Sequence, residues 1–102
     1  MTHIQVVQHL RRRVRVLAPI LKGDPERALL LDILLRKHPA IHDVRVVARL
    51  GSVAVRFDPR RMPADHVLVL LDRVVGNLGQ ARLPTAPAVE AGEERAISVA
   101  VQ

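Results

Sequence analysis

Two stretches of this chain alternate aliphatic and polar residues with a period of two, which restricts them to strands with one buried face. In the first, Ile4, Val6, Leu10, Val14, Val16 and Ala18 share one parity. His3, Gln5, His9, Arg11, Arg13 and Arg15 hold the other. Gln8 and Arg12 break the aliphatic run, so the reading is a single long strand over residues 4–18, bent or bulged between Gln8 and Arg12. In the second stretch Val44, Val46, Ala48 and Leu50 alternate with Arg45, Val47 and Arg49. Beyond Gly51, Val53, Val55 and Phe57 alternate with Ala54, Arg56 and Asp58. Two such runs joined at a glycine make a β-hairpin.

Helix signals separate the strands. Asp24 is an N-cap, Pro25 occupies the first helical position and Glu26 follows, so a helix is expected from about Pro25 to Lys37, with Arg36 and Lys37 at its negative end and Pro39 beyond it. Pro63 opens a second helix with Val67, Leu70, Leu71, Val74 and Leu78 on one face, and Gly76 or Gly79 is a candidate stop. The order is β, α, β, β, α, and one further strand completes an α+β ferredoxin-like βαββαβ sandwich, an antiparallel sheet with two helices on one face. That strand is expected from Ala81–Leu83, directly after the helix, in preference to the alternating Ile97, Val99 and Val101. Residues 1–79 are then the folded domain. Residues 80–102 hold the short strand, a flexible linker with Pro84, Pro87 and Gly92, and a C-terminal strand or docking tail.

Composition narrows the chemistry. The 102 residues include one aromatic side chain, Phe57, so aliphatic residues must fill the core. The absence of cysteine excludes disulfides, thiolate nucleophiles, iron–sulfur clusters and cysteine-based zinc sites. No apolar run reaches the roughly 20 residues of a membrane span, and the start has no secretory pattern, so a cytoplasmic protein, or the cytoplasmic part of a larger one, is expected. Asp24, Asp58 and Asp65 are explained by caps and turns, Ser52 and Ser98 have no histidine with an orienting acid, and no glycine-rich phosphate loop exists. No enzyme activity and no cofactor are expected. His38 and His42 have metal-ligand spacing, but Pro39 between them removes the helix that would align them. His3 near the terminal amine is the other candidate of a weak histidine-based metal-binding alternative, while His66, in the first turn of the second helix, is expected to be solvated.

Several passages resemble the heavy-metal-associated domain of copper chaperones and metal-transporting P-type ATPases, in a divergent cysteine-less branch. They are Arg13-Val14-Arg15-Val16, Gly23-Asp24-Pro25, Pro39-Ala40-Ile41 with Val44-Arg45-Val46, and Gly51-Ser52-Val53-Ala54-Val55-Arg56-Phe57-Asp58-Pro59. The resemblance covers about residues 4–79 and implies the sandwich fold and a place beside a metal transport system. The family's metal-binding members use two cysteines after the first strand. Here that loop is Leu17 to Gly23, without a soft ligand, so metal carriage is not implied for any residue.

Two surfaces are candidate partner sites. If the aliphatic parity faces the helices, Arg13, Arg15, Arg45, Arg49 and Arg56 point to the uncovered side of the sheet, with His9 at its edge and Val47 and Ala54 between. This face suits an acidic partner, consistent with the net charge of +6, although arginine-rich composition raises the charge of the whole chain. Both helices carry more aliphatic residues than one stripe needs. Leu29, Leu31, Leu35, Leu68 and Val69 are the surplus, expected either to meet a protein partner or a second copy, or in part to sit singly at the surface. Nucleic acid is the second partner class: RNA-recognition motifs share this topology, but they stack bases on sheet aromatics, and Phe57 has the buried parity. The acidic Glu90, Glu93 and Glu94 could also fold against the basic sheet.

Overall fold

The computed structural model describes residues 2–80. Its elements are β1 (Gln5–His9), β2 (Arg13–Leu17), a 3-10 turn (Pro19–Leu21), α1 (Pro25–Arg36), β3 (Ile41–Val47), β4 (Ser52–Phe57) and α2 (Ala64–Gln80). The strands form one antiparallel sheet in the order β1-β2-β4-β3, with both helices contributing to one core against it. This is the expected α+β arrangement, compatible with a ferredoxin-like sandwich, but its strands come in a different chain order.

The single strand expected over residues 4–18 is a hairpin. Leu10 N–H donates to the Arg13 carbonyl at 2.8 Å and closes the turn between β1 and β2. An unbroken strand of that length would run about 50 Å, far past partners of six and seven residues, and would leave backbone groups unpaired. Folding back pairs them. It also puts β1 beside β2, at the edge where the last strand of a βαββαβ chain would lie. The segments 81–83 and 97–101, expected to supply that strand, and the acidic Glu90, Glu93 and Glu94 lie outside the described residues.

Two register slips explain the breaks in alternation. Val6 pairs with Val16, but Gln8 pairs with Arg15, so a bulge at Val7 turns Gln8 away from the helices. Ile41 pairs with Phe57 and Asp43 with Arg56, so His42 bulges and both Ile41 and Val44 reach the core. The β3–β4 turn begins earlier than the alternation implies. Ala48 to Gly51 leave the strands, Leu50 is exposed, and Gly51 takes a φ of 67°. Its carbonyl accepts the Ala18 N–H at 2.7 Å, tying this turn to the end of β2.

Beneath the helices the core is aliphatic around one ring: Phe57, Leu21, Leu31, Leu35 and Leu71 are its largest fully buried side chains. Asp24 caps α1 by accepting the Arg27 N–H at 3.1 Å, and this bond holds its carboxyl below the usual range. The second helix does not stop at Gly76 or Gly79 but runs to Gln80. Gly76 is a packing position: a Cβ there would lie 2.6 Å from the His3 ring. The segment before β1 thus lies close on α2, and His3 N–H donates to Asp72 Oδ1 at 2.8 Å. Among the described residues no helix is long and apolar enough to cross a membrane.

Candidate docking face

Pairing register fixes what the uncovered side of the sheet presents. Arg15, Ala54 and Arg45 stand in one row across β2, β4 and β3, and Arg13, Arg56 and Asp43 stand in the next. A third row holds Leu17, Ser52 and Val47. The core face carries Val14, Val16, Val53, Val55 and Phe57, all essentially inaccessible. Four of the five expected arginines therefore share the open face. Arg13, Arg45 and Arg56 are exposed, and Arg15 is half-buried because its Nε donates to Ser52 Oγ at 3.2 Å. Ala54 is nearly buried between the flanking arginines, whose aliphatic stems cover apolar surface while their heads stay in water. Arg13, Asp43, Arg45, Ala54 and Arg56 line a shallow depression.

Arg49 is not on this face: it lies in the β3–β4 turn, exposed, because the strand ends at Val47. His9 is not at its edge. The slip at Val7 turns it toward α2, where its Nε2 lies 3.7 Å from Asp65 Oδ1.

The charges on the face are largely uncompensated. Asp43 is the one carboxylate in its rows, and Arg36 Nη1 approaches it at 3.5 Å from the end of α1. Arg36 also donates to Asp32 and to the Val44 carbonyl, and its bond to Asp32 raises its already high pKa. Among the described residues Arg13, Arg15, Arg45 and Arg56 have no carboxylate within ion-pair distance.

The expected apolar helix surface divides. Leu31, Leu35 and Leu68 belong to the core, at 0%, 1% and 5% exposure, so they are not partner-facing. Leu29 and Val69 are exposed as expected, and Ile33 and Leu34 join Leu29 on α1. Periodicity could not tell these sides of α1 apart because aliphatic residues occupy both.

Sequence reasoning missed a second basic feature. At the end of the sheet Arg11, Arg12, His42, Arg56, Asp58 and Arg60 surround a cleft of about 520 Å³. Its signals were the Arg11-Arg12 pair at the break in the first alternation and the Arg60-Arg61 pair after Asp58-Pro59. His42 lines this cleft, while His38 Nδ1 accepts the Ala40 N–H at 3.2 Å, so the two histidines have separate surroundings. Among the described residues no group of three or more His, Asp or Glu side chains could hold a metal ion.

Comparison with known proteins returns no match. No family model, no curated protein and no solved structure matches this chain.

Proposed function

We propose that this chain is a non-catalytic protein-interaction module whose open sheet face docks an acidic segment of a partner protein. The observation that carries the reading is the pair of register rows that bring four arginines onto one uncovered face without matching carboxylates. Guanidinium forks bind carboxylates with geometric specificity, and a flat face suits an extended chain. The resemblance to heavy-metal-associated domains extends this reading to a place beside a metal transport system, in the cytoplasm, without metal carriage. Its support is sequence punctuation alone.

Self-association through α1 is part of the proposal. Glu26, Leu29, Ile33 and Lys37 follow one exposed stripe at helical spacing, opposite the buried Ala28, Leu31 and Leu35, with Leu30 at its margin packed against the core. Among the described residues neither Glu26 nor Lys37 has an ion-pair partner. Two copies of α1 packed antiparallel bring Glu26 of each against Lys37 of the other around the aliphatic centre. A 12-residue helix is about 18 Å long, so this contact is smaller than a standard interface and the dimer is weak.

Nucleic acid is the second reading, favoured by the continuation of the arginines from the face into the cleft through Arg56. The described face offers no aromatic stacking platform, since Phe57 is buried, so such binding would be carried by phosphate contacts. Fluorescence anisotropy with a labelled glutamate-rich peptide and with labelled single-stranded DNA separates the readings. The peptide is expected to bind, and R13A/R45A to weaken it roughly tenfold or more. Binding of the DNA alone would remove the first reading.

A further inference from the structure

The cleft at the end of the sheet differs from the open face in shape and in how it is built. Its walls come from three places: Arg11 and Arg12 from the β1–β2 turn, His42 from the bulge of β3, and Arg56, Asp58 and Arg60 from the end of β4 and the loop beyond. The backbone bearing them is tied down. Phe57 N–H donates to the Arg12 carbonyl at 3.1 Å, Asp58 N–H to the Ala40 carbonyl at 2.9 Å, and Met62 N–H to the Asp58 carbonyl at 3.0 Å. Phe57 itself is an anchor in the core. The arginines thus project from a fixed frame.

Their charge is barely opposed. Asp58 is the one carboxylate in the cleft, and it is engaged: Oδ1 accepts the Arg60 N–H at 3.0 Å and lies 3.7 Å from Arg60 Nε. Arg11, Arg12 and Arg56 have no carboxylate within ion-pair distance among the described residues. A single carboxylate ligand would leave most of this charge unmatched. A multivalent oxyanion neutralises several guanidinium groups at once and offers oxygens to more than one fork. The volume is that of a small-molecule site, which usually measures roughly 300–1,000 Å³.

We infer that this cleft binds the diphosphate group of a small molecule. Arg11 and Arg12 grip it from the turn, Arg56 and Arg60 close on it from β4 and its loop, and Asp58 holds Arg60 in place. The site shares only Arg56 with the proposed peptide face.

The test is isothermal titration of the full chain with pyrophosphate, and with sulfate at matched ionic strength, repeated on R11A/R12A and on R13A/R45A. The first variant removes exposed side chains and keeps the Arg12 carbonyl that Phe57 uses, and circular dichroism checks its fold. Pyrophosphate is expected to bind the wild type and R13A/R45A alike, more tightly than sulfate, and at least about tenfold more weakly to R11A/R12A. Equal pyrophosphate affinity in R11A/R12A and wild type overturns the inference, and so does sulfate binding as tight as pyrophosphate. ADP and single-stranded DNA are the further arms. ADP binding that depends on Arg11 and Arg12 supports a nucleotide source. Single-stranded DNA that binds and weakens equally in both variants, without pyrophosphate binding, shows a continuous phosphate-tracking surface and overturns a small-molecule site. Loss of peptide binding in R13A/R45A is read separately, so the two proposals fail independently.

Discussion

Gly51 shows how much one residue fixes. Its φ of 67° is one that side-chain-bearing residues rarely adopt, and a Cβ added to it would lie 2.8 Å from the Ala18 carbonyl oxygen, a backbone atom that cannot swing away. Gly51→Ala is expected to cost about 1–2 kcal/mol from the left-handed backbone, with the close contact adding to it. Denaturant unfolding would check this, and an unchanged midpoint would contradict it. Asp24 and Asp58 act through charge. Backbone N–H groups, from Arg27 and Arg60 respectively, hold both carboxyls below their usual range. Groups with lowered folded pKa values stabilise fully above the unfolded value of about 3.9 and lose that contribution as pH falls through the folded value. The melting temperature should therefore drop below about pH 4. D24A/D58A should melt lower at neutral pH and show a shallower acid slope. At this scale parity in the sequence identified Arg13, Arg15, Arg45 and Arg56 correctly. It misplaced Arg49 and His9 because a turn and a bulge each reset the alternation, and the residues that mark them, Gly51 and Gln8, do not say at which position the reset begins.

α1 was legible in position, since Asp24 and Pro25 set its start and Lys37 its end, but not in orientation. Its leucines surround the axis, and only packing shows that Leu31 and Leu35 face inward while Leu29, Ile33 and Leu34 face out. Leu31→Ala is expected to cost about 2–5 kcal/mol, as for a fully buried leucine. L29E/I33E should leave the denaturation midpoint nearly unchanged and abolish concentration-dependent dimerisation in sedimentation velocity. A self-association constant equal to that of the wild type would rule out the α1 contact. The β1–β2 hairpin was the main element the sequence concealed. Gln8 and Arg12 marked a disturbance, but a bend, a bulge and a reversal produce the same break in a period-two run. The reversal wins because it pairs backbone that a long strand would leave bare.

For the whole molecule, the α+β class followed from two alternating stretches and two capped helices, each agreeing with the others. The order of the strands did not, because the edge beside β2 accepts a strand from either side of the chain, and periodicity does not say which arrives. The uncovered face was legible for the same reason the core was: with both helices on one side, aliphatic parity and arginine parity are two readings of one geometry. The cleft lay beyond that logic, since it is assembled from a turn, a bulge and a loop. The charge of the molecule acts over the whole surface, whereas the proposed partner binding lies on one face. Amide chemical-shift mapping during titration with a glutamate-rich peptide tests that directly. The largest shifts are expected in β2, β4 and β3, around Arg13, Arg15, Ala54, Arg56 and Arg45, and should weaken as salt is raised. Shifts confined to α1 and α2, or spread evenly over every exposed arginine, would contradict it.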